Sequence, residues 1–250
     1  MALKIRPLDD AAAPAWDAFV RAEPSATFFH LSAWRELMEE VFDHRTFYLY
    51  AERAGDIVGV LPLAEVRSRL FGHALVSLPF CVYGGIAAAE DAGPETLYAL
   101  ESKAETLAQA LGVQHLEFRN LKPRHEDWPR QELYVTFRKE ILPEVEANLL
   151  AIPRKQRAMV RKGIKNGLRS EIDVGVDRFF ALYADNVHRH GTPAMPKRWF
   201  QALRDEFGDD CECLTVVAPD GRPLSVVMSF YFRNEVLPYY AGDHVDARDL

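Results

Sequence analysis

One order of elements occurs twice along this chain of 250 residues. Residues 14–85 have the pattern of two helices followed by a strand meander, with a hairpin turn at residues 54–56. Residues 143–242 have the same order, with turns at residues 219–221 and 233–234. Helices combined with short strands in this way predict an α/β (α+β) fold. Because the two stretches share the order but little sequence, we interpret them as two structural copies of one unit.

The boundary between the two copies is predicted near residue 142, which divides the chain into residues 1–141 and 142–250. In the first copy, a glycine-bearing loop, a helix over 94–111 and a closing pair of strands follow the meander. The second copy reaches the corresponding point close to Leu250. We therefore expect the second unit to lack its C-terminal helix and strands in this sequence.

Composition restricts the classes of function. The net charge of −7 argues against a general nucleic-acid binder, so a site for a polyanion must be local. Cys81, Cys211 and Cys213 are an odd and sparse set, which indicates a reducing compartment without a disulfide framework. The charged N-terminus lacks the apolar region of a signal peptide, and no apolar run approaches the ~18 residues that span a bilayer. We expect a cytoplasmic protein without a membrane span.

Positive charge is concentrated in residues 152–170, with no acidic residue between Glu146 and Glu171. At about 100° per residue, the basic residues segregate to one face and the apolar residues to the other. The pattern predicts an amphipathic helix over residues 153–169. Its central cationic stripe supplies the candidate phosphate-binding residues Arg154, Arg157, Arg161 and Lys165.

Two costs in this helix favour a functional interpretation. Its like charges repel by a few tenths of a kcal/mol per pair. Gly163 and Gly167 each cost ~1 kcal/mol of helix propensity. Two other interpretations stay open, namely a simply solvated face and packing against the chain's own acidic group, Asp205, Glu206, Asp209 and Asp210.

Many enzymes need one group that removes a proton and another that stabilises a developing negative charge. His190 near a helix end and Tyr240 on the last strand are the candidate catalytic residues, although helix capping and core packing explain them as well. Alternation along residues 223–232 places Ser229 and Tyr231 on one polar face, and Thr192 follows His190 closely. We predict that this polar face, which also includes Ser225, lines a substrate groove, and that Thr192 contributes to substrate binding. No motif predicts a covalent nucleophile or a metal site.

Seven segments, in this order and spacing, carry a resemblance to a known family: TFFHLSAW, GVLPL, SLPFCVYGGI, LEFRN, PRKQRAMVRKGIKNGL, NVHRHGTPAMPKRWF and VMSFYFRNEVLPYYAGD. The chain resembles the Fem-type (FemAB-like) aminoacyl/acyltransferases, and is most similar to the branch associated with exosortase and exopolysaccharide loci. The resemblance implies two tandem acyl-CoA N-acyltransferase-like (GNAT-like) units with mixed sheets. It also implies that the second unit continues beyond Leu250 in the family.

The resemblance further implies transfer of an acyl or aminoacyl group to an amine, without a covalent enzyme intermediate. Fem-type relatives extend peptidoglycan precursors with amino acids carried on tRNA. The co-substrate would be acyl-CoA or aminoacyl-tRNA, with no tightly bound cofactor. The acceptor would be a phosphate-bearing small molecule or a lipid-linked precursor of the cell envelope or of an exopolysaccharide. In such units the loop after the meander binds an anion through backbone N–H groups, which adds Gly242 in the second unit and residues 83–85 in the first.

Two hypotheses therefore follow from the sequence. In the first, the chain is a transferase whose basic helix binds the phosphates of the acceptor or of the donor. In the second, the same helix is a non-catalytic module that binds an anionic polysaccharide, RNA or an assembly partner.

Overall fold

In the computed structural model, residues 2–70 and 72–248 are described. Contacts divide the chain into two compact units, Met1–Glu126 and Asp127–Leu250, here called unit 1 and unit 2. The boundary predicted near residue 142 lies inside unit 2.

Unit 1 contains three α-helices and seven strands among its described residues. In chain order they are β1 (Lys4–Pro7), α1 (Ala13–Ala22), α2 (Ala33–Phe42), β2 (Leu49–Arg53), β3 (Asp56–Leu61), β4 (Ala64–Ser68), β5 (Gly72–Ser77), β6 (Ala87–Ala88), α3 (Pro94–Leu111) and β7 (His115–Phe118). One antiparallel sheet has the order β1-β2-β3-β6. A second sheet has the order β4-β5-β7, in which β5 and β7 run parallel.

Local sequence signals explain where several of these elements begin and end. Pro94 opens α3, where its missing N–H costs nothing, and Gly112 closes the helix with a φ of 64°. Ala54 and Gly55 both have positive φ, at 61° and 98°, which suits the tight turn between β2 and β3. The helix predicted over 94–111 and the β2–β3 hairpin are therefore present.

The core of unit 1 lies on both faces of the β1-β2-β3-β6 sheet. On one face, Leu100 and Ala104 of α3 pack with Leu49 and Leu61. On the other face, Trp16 of α1 stacks at a tilt on Tyr48, with ring centroids 5.4 Å apart. Tyr48 immediately precedes β2, and Tyr48 and the first strand residue, Leu49, contribute to the two halves of this core.

Unit 2 contains four helices and four strands among its described residues. They are α4 (Val145–Ala151), α5 (Arg154–Lys165), β8 (Arg169–Asp173), α6 (Asp177–Arg189), α7 (Lys197–Phe207), β9 (Cys211–Val217), β10 (Pro223–Phe232) and β11 (Glu235–Asp243). The strands form one antiparallel sheet in the order β11-β10-β9-β8.

Alternation along β9 and β10 directs apolar side chains toward α6 and α7. In β10, the buried face includes Leu224, Val226 and Met228. Phe179 of α6 and Phe200 of α7 meet at this core edge to face, with ring centroids 5.1 Å apart. This layer of helices on a sheet is the framework that positions the candidate site.

The apolar residues of 133–137 predict the second of the two closing strands of the first copy, but the structure has no strand there. Tyr134 and Phe137 are strongly exposed, and no strand in the described part of the chain pairs with this segment. A strand is stable only when its backbone groups have a neighbouring strand to bond. The apolar alternation of these residues is therefore a misleading signal for the fold.

No helix within residues 2–70 and 72–248 has both the length and the apolar character needed to cross a bilayer.

Candidate functional site

The basic helix is present as α5, which is exposed on every side. None of its residues is buried, and this includes the apolar residues Met159, Val160 and Ile164. Both glycines have a local role, because Gly163 faces Leu168 and Gly167 has a φ of 76°. The apolar face of α5 is therefore not part of the core of unit 2.

The four residues of the cationic stripe project away from acidic partners. Within residues 2–70 and 72–248, no ion pair joins Arg154, Arg157, Arg161 or Lys165 to a carboxylate. Arg157 donates from Nη1 to the carbonyl oxygen of Leu150, 3.1 Å away. These four charges are therefore not neutralised by the acidic group at residues 205–210.

A β-bulge interrupts the pairing of β10 with β11 in the middle of both strands. Met228 lies opposite Tyr240, whereas the next residue, Ser229, lies opposite Pro238. Tyr239 is therefore the extra residue of the bulge. Such bulges bend a strand and re-aim its side chains, and they are frequent beside active sites.

Tyr240 lies beside the bulge on the helix-covered face of the sheet. Its hydroxyl oxygen accepts a hydrogen bond from the indole Nε1 of Trp199, at 3.1 Å. Its ring meets Phe200 edge to face, with centroids 5.1 Å apart. Because the indole N–H can only donate, the Tyr240 oxygen is the acceptor in this pair.

Tyr183, Trp199, Phe200 and Tyr240 are here called the aromatic cluster, and Tyr183 is its second tyrosine. It is largely buried, and its ring lies edge to face against Phe200 and Tyr240, with centroids 4.8 and 6.1 Å away. Burial raises the pKa of Tyr183, and a backbone hydrogen bond from Met195 partly opposes that rise. The Tyr183 side chain is therefore neutral at physiological pH.

His190 is exposed at the C-terminal end of α6. Its Nδ1 lies 2.7 Å from the carbonyl oxygen of Asn186. A carbonyl oxygen only accepts, so Nδ1 carries the proton and Nε2 of the neutral ring can accept one. The ring therefore caps the C-terminal end of α6, and the side chain is exposed to solvent. Thr192, which follows the turn, is also exposed, and its backbone N–H donates to the carbonyl oxygen of Val187, at 2.9 Å.

Arg189 connects this end of α6 to the end of β11. Its guanidinium donates to the carbonyl oxygen of Asp243 and to Oδ1 of the same residue, the latter at 3.0 Å. Its Nε donates to Asp185, also at 3.0 Å. The α6 terminus that carries His190 is therefore held at the end of β11.

Gly242 is buried where β11 crosses α6. A Cβ atom at this position would lie 2.7 Å from the Cα atom of Tyr183 and 2.8 Å from the carbonyl oxygen of Leu182. No side chain fits in this space, so packing alone explains the glycine. Its role in anion binding stays a prediction.

The predicted site residues on β10 and β11 are divided between the two faces of the unit 2 sheet. Register pairs Tyr240 with Met228 and Gly242 with Val226, so these two residues face α6 and α7. Tyr231 lies on the opposite face, where its hydroxyl donates to Glu212 at 3.1 Å. Ser229, at the bulge, is buried. The fold therefore brings Tyr240 and Gly242 together and separates them from Tyr231.

The glycine loop of unit 1 has a structural explanation as well. The backbone N–H groups of Gly84 and Gly85 both donate to the carbonyl oxygen of Arg119, at 3.2 and 3.1 Å. The carbonyl oxygen of Gly85 accepts from His30 Nε2 at 2.8 Å. The donors expected to hold an anion are thus engaged within unit 1.

Two residues of the cluster, Tyr183 and Trp199, were not among the candidates from sequence. Both occupy apolar positions of amphipathic helices, where aromatic residues usually form the core. Their only distinguishing signal is a polar atom in a buried position, and sequence alone does not reveal its partner.

Within the described residues, no group of three or more histidine, cysteine, aspartate or glutamate side chains has the arrangement of a metal site.

Part of the chain matches a known domain family, and nearly all of it is similar in fold to a solved structure. Residues 154–250, which start at the first residue of α5, match the family model described as "Acetyltransferase (GNAT) domain". The whole chain is similar to the crystal structure of FemX, with a TM-score of 0.68, 15% identity, and coverage of 98% of this chain and 82% of that one. A search of the curated proteins gave no match.

Two further solved structures show weaker likeness. A GNAT family acetyltransferase from Staphylococcus aureus subsp. aureus USA300_TCH1516 has a TM-score of 0.38 and 11% identity, and covers 56% of this chain and 100% of its own. The aminoglycoside 6'-N-acetyltransferase AAC(6')-Ih from Acinetobacter baumannii has a TM-score of 0.38 and 15% identity, and covers 56% and 99%.

The fold is mixed α/β with GNAT-like units, which confirms the predicted fold class. In its overall fold the chain is similar to FemX.

Proposed function

We propose that the chain transfers an acyl or aminoacyl group to an amine of a cell-envelope or exopolysaccharide precursor. The observation that carries this proposal is the match of residues 154–250 to an acetyltransferase domain model. The FemX-like fold, which extends over 98% of the chain, is consistent with it. The Fem-type resemblance of the seven sequence segments adds the class of acceptor, with peptidoglycan or exopolysaccharide precursors in the cytoplasm as the substrates.

The reaction is direct attack of the acceptor amine on the donor carbonyl. A new N–C bond forms, and the bond from the carbonyl carbon to the thiolate of acyl-CoA or to the ribose oxygen of aminoacyl-tRNA breaks. The amine loses a proton, for which His190 Nε2 is the candidate acceptor. The leaving group gains a proton, for which Tyr240 is the candidate donor, since a phenol hydroxyl can supply a proton.

Substrate binding is assigned to α5 and to the polar residues of the sheet. Arginine suits phosphate because its planar guanidinium donates two parallel hydrogen bonds to one phosphate group. Arg154, Arg157, Arg161 and Lys165 would bind a diphosphate of the acceptor or of the donor. Thr192, Ser229, Tyr231 and Gly242 are the further contact residues in this proposal.

A transfer assay tests the proposal. The protein is incubated with a panel of acyl-CoA thioesters or with a pool of charged tRNAs, and with a nucleotide-linked muropeptide that carries a free amine. Mass spectrometry then detects the acceptor with the added acyl mass. Product that depends on both donor and protein supports the proposal, and failure with every donor class and acceptor contradicts it.

Substitution of the candidate proton-transfer residues sharpens this assay. We expect Tyr240→Phe and His190→Gln each to lower kcat by about 100-fold, the usual contribution of a positioned acid or base. Tyr98→Phe and His188→Gln are the matched controls, because both side chains are exposed and neither is a candidate. Equal activity of the candidate variants and the controls would remove Tyr240 and His190 from the mechanism.

The phosphate contacts are tested separately. Arg157→Ala/Arg161→Ala removes two charges of α5 and should raise the KM for the phosphate-bearing substrate by at least about tenfold. The double control Arg67→Ala/Arg69→Ala removes two exposed charges of unit 1. Unfolding curves of all variants should coincide, and loss of folded protein in the α5 variant would make its arginines structural.

A second candidate function rests on the exposed cationic stripe of α5, which carries no acidic residue. In this alternative, the helix binds RNA, an anionic polysaccharide or an assembly partner without chemistry. RNA binding through the stripe should weaken by ~0.7 log units per phosphate contact for each log unit of salt. Tight, salt-sensitive binding of RNA together with no transfer from any donor would favour this alternative.

A further inference from the structure

The hairpin formed by α4 and α5 exposes an unusual amount of apolar surface. Neither helix has a buried residue. In α5, Met159, Val160 and Ile164 are 56%, 42% and 67% exposed, and in α4 Val145 and Leu150 are 84% and 56% exposed. The two helices contact one another, and Arg157 bonds the last turn of α4. Apolar side chains of this size are normally buried or covered by a partner.

The apolar and the charged residues of α5 are separated around the helix axis. At 100° per residue, the six basic residues of α5 occupy a continuous arc, and Met159, Val160 and Ile164 occupy the opposite arc. Neutral Ala158 lies within the cationic arc. Gln156 and Gly163 also lie in the apolar arc, between Met159 and Val160. A short helix with a lysine- and arginine-rich face opposite an apolar arc is typical of helices that lie in the plane of a membrane surface.

An anionic bilayer is the partner that the two faces together favour. A soluble polyanion would neutralise the charges and leave Met159, Val160 and Ile164 in water. A wholly apolar protein groove would cover those three side chains and leave Arg154, Arg157, Arg161 and Lys165 without counterions. An anionic bilayer offers phosphates to the cationic arc and acyl chains to the apolar arc at the same time. The remainder of the chain is strongly acidic, so such a surface would orient the protein with α5 toward the lipid.

We propose that the α4–α5 hairpin docks the protein reversibly on an anionic phospholipid surface. In this arrangement α5 lies parallel to the membrane, with Met159, Val160 and Ile164 among the upper acyl chains and its arginines and lysines among the lipid phosphates. The inference goes beyond acyl transfer, because it requires no catalytic residue. It uses the same arginines and Lys165 that the proposed function assigns to a substrate diphosphate, and a lipid-linked acceptor would present its diphosphate in the same layer of lipid phosphates. The inference concerns attachment to the membrane surface, which differs from spanning the membrane.

Flotation with phospholipid vesicles tests this docking. The full chain is mixed with vesicles of equimolar phosphatidylglycerol and phosphatidylcholine, or of phosphatidylcholine alone. We expect flotation with the anionic vesicles and little with the neutral ones, and flotation should decrease with salt. Absence of binding to the anionic vesicles at low salt would overturn the proposal.

The apolar contribution is tested by the triple variant Met159→Ser/Val160→Ser/Ile164→Ser. Loss of the three apolar contacts should weaken vesicle binding by at least about tenfold. The matched control Leu70→Ser/Val82→Ser changes exposed apolar residues of unit 1 and should bind like the parent protein. Circular dichroism establishes that each variant is folded. If the serine variant binds vesicles as well as the parent, the apolar face does not enter the lipid and the proposal is wrong.

The cationic contribution is tested by Arg161→Gln/Lys165→Gln. Each basic residue near an anionic surface strengthens binding about fivefold, so this variant should bind about 25-fold more weakly. Arg67→Gln/Arg69→Gln removes the same charge from unit 1 and should have little effect. An equal loss in both double variants would mean that net charge, and not α5, controls adsorption, which contradicts the proposal.

A fluorescent label measures the orientation of the helix directly. The three native cysteines are buried, so a cysteine introduced at the surface is labelled selectively. An environment-sensitive dye on Met159→Cys should shift to shorter wavelength when anionic vesicles are added, whereas the same dye on Ala158→Cys should shift little. The opposite result, or equal shifts, would exclude the proposed orientation even if the protein binds vesicles.

Discussion

Gly242→Ala is the substitution whose effect follows most directly from the structure. The added Cβ would lie 2.7 to 2.8 Å from the Cα, the backbone nitrogen of Tyr183 and the carbonyl oxygen of Leu182. All three are backbone atoms of α6, so no flexible side chain can move aside. Favourable contacts between such atoms lie at about 3.5–4.0 Å. Therefore α6 or β11 must shift by ~1 Å.

The cost of that shift follows from the surroundings of α6. The helix is held by the rings of Phe179 and Tyr183 against Phe200, and by Arg189 bonded to Asp243. Overpacking of a well-packed core costs about 1–3 kcal/mol. We take ~2 kcal/mol, which raises the equilibrium constant for local opening of α6 roughly 30-fold.

Hydrogen exchange followed by mass spectrometry measures this opening helix by helix. Amides of α6 should exchange faster in Gly242→Ala, while α3 in unit 1 should keep its rate. Gly175→Ala is the matched control, because a Cβ there meets no atom within 4 Å and its φ is not in the left-handed region. That control should be neutral or stabilised by up to ~1 kcal/mol.

Unchanged exchange in α6 of Gly242→Ala would refute this reasoning about packing. If such a variant also lost binding or transfer activity, the anion-binding role predicted for Gly242 would then explain the glycine better than packing does.

Three further perturbations follow from buried groups. Leu100→Ala should destabilise unit 1 by about 3 kcal/mol in urea titrations, since Leu100 is fully buried in its core and a cavity would remain. Thr215→Val should destabilise unit 2 by about 1–2 kcal/mol in the same assay, because the Thr215 hydroxyl donates to buried Asp173 at 2.6 Å. Burial raises the pKa of Cys211 to about 12 and that of Cys213 to about 11. Above about pH 8.5 the unfolded thiols lose protons that the folded ones retain, so each should lower the free energy of unfolding by up to about 1.4 kcal/mol per pH unit. The decline in the free energy of unfolding should stop near the pKa values of the folded thiols, and it should be smaller in Cys211→Ala/Cys213→Ala. If this variant and the parent protein have equal slopes of stability against pH, the thiols do not contribute.

Much of the fold is predictable because its signals are local. Pro94 and Gly112 mark both ends of α3, and alternation along β10 separates its buried from its exposed residues. The charge pattern of residues 153–169 likewise predicts α5, although the helix ends earlier, at Lys165. Each of these elements depends on residues a few positions apart.

The candidate site is less predictable because its contacts are distant in the sequence. Trp199 bonds Tyr240 across 41 positions, and Arg189 bonds Asp243 across 54. Neither pair has a spacing that predicts it. The prediction for residues 133–137 is wrong for the opposite reason. Their local pattern predicts a strand, but the described part of the chain supplies no partner strand.

The separate core of unit 1 has a consequence for how the protein is made. All residues of its main apolar cluster, from Leu3 to Phe118, lie in the first half of the chain. The last of its strands, β7, pairs in parallel with β5 and closes the second sheet of that unit. At about 5–20 residues per second, translation of Asp127–Leu250 takes roughly 6–25 s, far longer than most small domains need to fold. Unit 1 can therefore bury its apolar residues and pair its strands while unit 2 is still being translated.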